Sequence, residues 1–242
     1  MKKNKIFIAC DSNDTGKIKE IIKKTKNSEL EIGYKFGLEF LNSKSGRNFI
    51  TKVRNKVTFG DYKFSDIPNT CASAIKAVSD LKFNYVTIHI SSGINSLRAA
   101  KKVCGKTKLV GVTILTSLDN KSLKEIGYSN KVKKVVFEQA KLAKKVGLDA
   151  IVCSPMEVDI VKKVFKKEII TPGIRFNSKA HDQKRVLTPK QAYKNGSDWL
   201  VIGRPITKGN IKKNISSLID HLDQWSLKQK SVEFLTWKHF II

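Results

Sequence analysis

Val57-Thr58-Phe59-Gly60-Asp61-Tyr62-Lys63-Phe64-Ser65-Asp66-Ile67-Pro68-Asn69-Thr70 is the stretch from which the rest of the chain can be read. Apolar residues lead in and a helical pattern over 70–81 leads out, so charges of alternating sign stand where a strand gives way to a loop. In an extended segment residues two apart share a face, so Asp61 and Lys63 can converge on one ligand atom, whereas Asp66 lies beyond that reach. Pro68 cannot extend a ladder, and Asn69 is a good cap for the helix that follows. A bare Asp-x-Lys reads equally well as solvated charge on an exposed strand end. What sets this one apart is its place behind an apolar strand.

The same unit recurs along the chain. Apolar runs at 6–10, 30–34, 57–60, 85–90, 109–115, 150–153, 168–171 and 199–202 alternate with helical patterns, giving eight strand–helix pairs. The second is followed by a helical stretch over 38–53, the fifth by a loop and a long helix over 131–146, and the sixth by a helix over 157–165. After the seventh, a polar segment, 176–187, precedes a short helix opened by Thr188-Pro189, where proline suits the first turn. Alternation of this kind predicts an α/β fold, a (β/α)8 TIM barrel forming a single catalytic domain over 1–224 with a tail over 225–242. A doubly wound open sheet is the alternative, because strand order cannot be read from the pattern.

A barrel gathers its functional residues on the rim at the C-terminal ends of its strands. Asp11, Lys35, Asp61, Lys63, Thr116, Arg175 and Arg204 all follow strands immediately, whereas the helix-to-strand turns carry ordinary residues such as Lys145-Val146-Gly147 and Asn195-Gly196-Ser197. The turn Gly203-Arg204 follows strand eight, where barrels bind phosphate through backbone N–H groups and a helix N-terminus. Glycine lets the backbone approach closely, and arginine supplies a forked donor. Arg175 and Gln183, on the loop after strand seven, are neighbours of that turn in such a fold.

Composition narrows the partners. The 242 residues include 47 Lys and Arg against 21 Asp and Glu, a net charge of +26, and such a field draws nucleic acid, anionic lipid or an anionic substrate. The excess is spread over most helical segments, as at Lys23-Lys24 and Lys133-Lys134, and no stripe emerges, so no specific nucleic-acid partner is expected. Cys10, Cys71, Cys104 and Cys153 show neither Cys-x-x-Cys spacing nor paired histidines, which argues against zinc and against a disulfide framework. The N-terminus lacks an apolar signal core and no stretch has the uncharged length of a membrane span, so a cytoplasmic location is expected and a membrane partner is not. The tail, with Trp225, Trp237, Phe240, Ile241 and Ile242, reads as packing on the barrel or on another subunit, with a membrane-surface anchor as the alternative.

Asp-x-Lys-x-x-Asp-Ile-Pro-Asn-Thr behind a buried strand resembles the catalytic signature of the orotidine 5′-phosphate decarboxylases, which complete UMP synthesis. The resemblance extends through Ala9-Cys10-Asp11, Gly33-Tyr34-Lys35, Leu115-Thr116-Ser117, Thr171-Pro172-Gly173-Ile174-Arg175, Asp182-Gln183-Lys184-Arg185 and Val201-Ile202-Gly203-Arg204-Pro205. Ser65 stands where many relatives have histidine, and Ser92-Gly93 where they have two glycines.

The resemblance implies decarboxylation of orotidine 5′-monophosphate to UMP and CO2 without cofactor or metal. It implies a charge array of Lys35, Asp61, Lys63 and Asp66 stabilising a C6 carbanion that Lys63 protonates. Asp66 and Ile67 would enter from the partner in a homodimer with composite sites. Asp11, Lys35, Asp66 and Thr70 would hold ribose hydroxyls and Thr116 the pyrimidine. Gln183, Gly203 and Arg204 would grip phosphate, with Arg175 supporting that loop. The rival is a sugar-phosphate aldolase or decarboxylase that uses the same Asp-x-Lys-x-x-Asp with magnesium, and such a site needs collected carboxylates. The ends of strands four and five offer His89 and Thr116 without an acidic companion, and His89 reads as a packed strand residue.

Overall fold

The computed structural model describes residues 3–26, 29–53, 55–175 and 187–222. The elements run β1 (Asn4–Ala9), α1 (Thr15–Lys24), β2 (Leu30–Phe36), α2 (Leu38–Leu41), α3 (Gly46–Ile50), β3 (Val57–Phe64) and α4 (Pro68–Ala77). They continue with β4 (Tyr85–His89), α5 (Gly93–Val103), β5 (Lys108–Val112), α6 (Asn120–Glu125), α7 (Val132–Val146) and β6 (Ala150–Val152). The last are α8 (Val158–Val164), β7 (Glu168–Thr171), α9 (Pro189–Lys194), β8 (Trp199–Ile202) and α10 (Arg204–Thr207), followed by a helix over 211–222. All neighbouring strands are parallel, and β1 pairs with β8, closing the sheet in the order β1 to β8. That closure settles the choice between barrel and open sheet. Among the described residues no helix is long and apolar enough to cross a membrane.

Strands in a closed barrel are buried on both faces, which is why they read as continuous apolar runs. Outward residues such as Ile6, Ile8, Ile88, Leu109 and Ile151 join the helices in the larger core. Inward residues form a smaller one, in which Phe7 stacks on the Trp199 ring at 4.2 Å and packs against Phe59 at 5.0 Å and Tyr85 at 5.3 Å. Each such buried aromatic contributes roughly 1.5–3 kcal/mol. Opposite Phe7 the partner strand carries Gly33, and a Cβ there would lie 2.5 Å from the Phe7 ring. The lower barrel is therefore filled with side chains, and only the upper rim is open.

Several local expectations are corrected. The helical stretch over 38–53 is two short helices: Ser43 Oγ and N–H both donate to the Phe40 carbonyl, which a further turn would have paired with the Lys44 N–H, while Asn42 Nδ2 adds a second donor to the Leu38 carbonyl already bonded by the Asn42 N–H. The helix expected from residue 70 begins at Pro68, with Ile67 as its cap and Asn69 inside its first turn, because proline is pre-shaped for the first helical position. It ends at Ala77, before a 3-10 turn over Ser79–Leu81. The loop ahead of the long helix contains α6, capped by Asp119, which accepts from the Ser122 N–H at 2.9 Å. The short helix after 187 is anchored by a capping box between Thr188 and Gln191. The tail over 225–242 lies outside the described residues.

Candidate active site

The register of β1, β2 and β3 lays Ala9 beside Lys35 and Lys35 beside Phe59. Two residues beyond the inward Ala9 and Phe59 come Asp11 and Asp61, and two beyond Gly33 comes Lys35, so the period of the strand aims all three side chains into the barrel mouth. Lys35 Nζ lies 3.2 Å from Asp11 Oδ1 and 3.4 Å from Asp61 Oδ2. Lys63 Nζ lies 2.7 Å from the same Asp61 oxygen. The four charges form one alternating row, Asp11, Lys35, Asp61, Lys63.

Strand three was expected to stop at Asp61 but continues to Phe64, and it does so irregularly. Phe59 and Gly60 pair with Tyr85 and Val86, after which Phe64 pairs with Ile88, so four residue steps on β3 span two on β4. Bulges of this kind re-aim side chains next to active sites. Lys63 adopts φ 53°, left-handed backbone for a residue with a Cβ, and its N–H donates to Thr87 Oγ1 at 2.7 Å. The same hydroxyl donates to Asp61 Oδ1 at 3.1 Å.

Electrostatics follow from this packing. Burial opposes the charge on Asp61, but Lys35 and Lys63, with hydrogen bonds from Lys63 and Thr87, more than offset it and hold the carboxyl below its ordinary range. Burial likewise opposes the Lys35 ammonium, and Asp61 and Asp11 outweigh it, raising the pKa above that of a free lysine. His89, half-buried at the end of β4, is pushed down by burial and then by the Lys63 charge, against the pull of Asp61.

Above the row opens a cavity of about 490 Å³, lined by all four charged residues and also by Thr116, Arg175, Gly203 and Arg204. Gly203 caps α10 and sits close to β1, where a Cβ would lie 3.4 Å from that of Ala9 and 3.9 Å from Asp11 Oδ2. The chain between β7 and α9 is pinned at its neck, Arg175 N–H donating to the Leu187 carbonyl at 3.1 Å and Leu187 N–H to that of Gly173 at 3.3 Å. Gln183 lies outside the described residues. Among the described residues no group of three His, Cys, Asp or Glu side chains is placed to hold a metal ion.

Asp66, Ile67 and Thr70 do not join their own cavity. Asp66 and Ile67 line a separate cleft of about 530 Å³ between the starts of α4 and α5. The Asp66 carboxylate accepts from the Ile67 N–H at 2.7 Å, and its carbonyl from Ser96 Oγ at 2.8 Å. Ile67 is 66 % exposed and Thr70 is exposed. Conversely, Ser12, Lys17 and Lys208 line the main cavity without having been singled out, and Thr87 supports it from below. Thr87 had a signal, a hydroxyl at an inward position in an otherwise apolar strand. The two lysines did not, in a chain this rich in lysine.

The profile of the family described as "Orotidine 5′-phosphate decarboxylase / HUMPS family" matches residues 4–215. An orotidine 5′-phosphate decarboxylase of a Wolbachia from Brugia malayi is 44 % identical over 223 residues, which cover 89 % of this chain and 97 % of the relative. One from Actinobacillus pleuropneumoniae is 36 % identical over 230 residues, covering 89 % of this chain and 99 % of that one. The crystal structure of orotidine 5′-phosphate decarboxylase from Lactobacillus acidophilus superposes with a TM-score of 0.76 at 29 % identity, over 91 % of this chain and 99 % of the other. The chain belongs to the orotidine 5′-phosphate decarboxylase / HUMPS family.

Proposed function

We propose that this chain converts orotidine 5′-monophosphate to UMP and CO2, the last step of UMP synthesis, within the barrel mouth. The observation that carries the reading is the row Asp11, Lys35, Asp61, Lys63 along a cavity that the turn Gly203-Arg204, next to β1, also lines. The row suits a charge-driven reaction, and the turn suits a phosphate group.

Losing CO2 from C6 breaks a carbon–carbon bond and leaves its electron pair on C6 with little delocalisation. A fixed ammonium beside that carbon favours the carbanion as it forms. At ~4 Å and an effective dielectric near 20 a unit charge is worth ~4 kcal/mol, a substantial part of the ~8–23 kcal/mol that enzymes supply. Lys63 then gives its proton to C6 and regains one from solvent. Asp61 holds and aims the Lys63 ammonium, and presses on the substrate carboxylate, while Asp11 and Lys35 hold ribose hydroxyls and Thr116 the pyrimidine. Gly203 N–H, Arg204 and Gln183 take the phosphate, and Arg175 steadies the neck of their loop. None of these roles requires a cofactor.

Asp66 completes the array from a second copy of the chain, with Ile67 and Thr70. Support for this comes from the exposure of all three and from Asp66 and Ile67 facing a cleft separate from their own cavity. The test is turnover of orotidine 5′-monophosphate by exhaustively chelated protein. Full activity is expected, and an activity that needs added magnesium would move the reading to the sugar-phosphate rival.

A further inference from the structure

Thr87 sits in the middle of β4 between Val86 and Ile88 and is fully buried. A hydroxyl there must find partners, since an unpaired buried polar group costs stability. It finds both on β3, and both belong to charged residues of the site: it donates to Asp61 Oδ1 at 3.1 Å and accepts from the Lys63 N–H at 2.7 Å. The directions are fixed chemically, because an amide N–H only donates and an ionised carboxylate only accepts. One hydroxyl orientation therefore satisfies all three groups.

Both partners lie in the irregular part of the sheet, where the register with β4 slips between Gly60 and Phe64. Lys63 is held there at φ 53°, a conformation that costs energy for any residue with a Cβ and persists only where its surroundings impose it. The side chain of Thr87 provides that restraint, in place of a regular ladder bond to β4. Turning the backbone at residue 63 would carry the ammonium off the face it shares with Asp61. Thr87 does not line the cavity, so it acts through these neighbours.

We propose that Thr87 is the positioning residue of the site, a single hydroxyl that sets the Lys63 ammonium and the Asp61 carboxylate in their mutual geometry. This deepens the decarboxylase reading and rests on it. Thr87→Val keeps the shape and removes both hydrogen bonds, whereas Thr87→Ser keeps the hydroxyl. In full-length Thr87→Val, kcat falls roughly 10- to 100-fold while KM and the affinity for UMP stay within about threefold. Thr87→Ser returns kcat to within about threefold of wild type. Exchange of the Lys63 amide hydrogen speeds up about tenfold or more in the valine variant and stays slow in the serine variant.

A valine variant with wild-type kcat, one in which kcat and UMP affinity fall together, or a serine variant as slow as the valine one overturns the proposal. So does unchanged exchange at Lys63, a readout independent of turnover. Wild-type protein that leaves orotidine 5′-monophosphate untouched removes the functional reading instead. If Thr87→Val does not fold, Thr87→Cys, a poorer donor and acceptor of similar size, takes its place with the same expectations.

Discussion

Replacing Asp61 by Asn removes one charge from the centre of the row while keeping its shape and a partner for Thr87. Asp61 faces Lys35 at 3.4 Å and Lys63 at 2.7 Å, and at an effective dielectric near 20 these attractions are worth ~5 and ~6 kcal/mol before the cost of burial. Removing one partner of a buried pair typically costs about 3–5 kcal/mol net. Two features reduce that here: Lys35 keeps Asp11, and the Lys63 side chain is 31 % exposed. A loss of ~2–3 kcal/mol at pH 7 is expected, read from urea unfolding as a lower midpoint with unchanged slope. The pH dependence is fixed by the shifts. Asp61 is depressed when folded, so its contribution is present above the ordinary carboxyl range and is lost only as pH falls through the lower folded value. Lys35 is raised, so its share is complete below pH ~10.4 and is lost as pH rises through the folded value. The gap between wild type and Asp61→Asn should therefore hold from pH ~5 to ~9 and narrow outside that window. A gap under ~0.5 kcal/mol at pH 7, or one already closing between pH 7 and 5, would refute the picture of Asp61 as an ionised keystone between two lysines.

Lys63→Ala should lose turnover yet bind UMP with nearly wild-type affinity, checked by calorimetry, because the ribose and phosphate contacts proposed above are made by other residues. Mixing Lys63→Ala with the nearly inactive Asp66→Asn under subunit exchange should restore about half of the wild-type activity per heterodimer, since one site then carries both lesions and the other neither; confirmed heterodimers without recovery would put Asp66 outside the partner's site. Gly33→Ala drives a Cβ to 2.5 Å from a Phe7 ring already held by Phe59, Tyr85 and Trp199, and should cost about 1–3 kcal/mol in urea unfolding. Cys10, whose thiol burial pushes up to about 12, should resist iodoacetamide at pH 8 in the native protein and react only after unfolding.

The barrel was legible because each strand is buried on both faces and each rim residue comes directly after an apolar run, as at Asp11, Lys35 and Asp61. What escaped was geometry that depends on two strands at once. The slip between β3 and β4 leaves no mark in the sequence of either strand, so the extension to Phe64 and the backbone of Lys63 could not be anticipated from β3 alone. Thr87 stands out in β4 as an inward hydroxyl, but both of its partners lie on β3 and cannot be read from β4 alone. The split between α2 and α3 goes with Ser43, whose hydroxyl and N–H both turn to the Phe40 carbonyl, a local effect that apolar periodicity overlooks. Asp66, expected beyond the reach of Lys63 along the strand, lies past the end of β3 and lines a separate cleft.

The aromatic floor of Phe7, Phe59, Tyr85 and Trp199 has a consequence for how such a protein can change. Phe59 is two residues from Asp61, and Ala9 two from Asp11, so the layer that fills the barrel and the layer that carries charge are successive turns of the same strand period. Substitutions at the rim leave the volume of the floor untouched, while substitutions in the floor meet neighbours with no room to move. Evolution and protein engineering are thus offered a scaffold whose chemistry can be rewritten above an unaltered base. The rim charges are coupled, however, and a lone replacement strands its partners. New activities on this barrel should therefore arise through compensating sets of rim residues, with Lys35, Asp61 and Lys63 exchanged together.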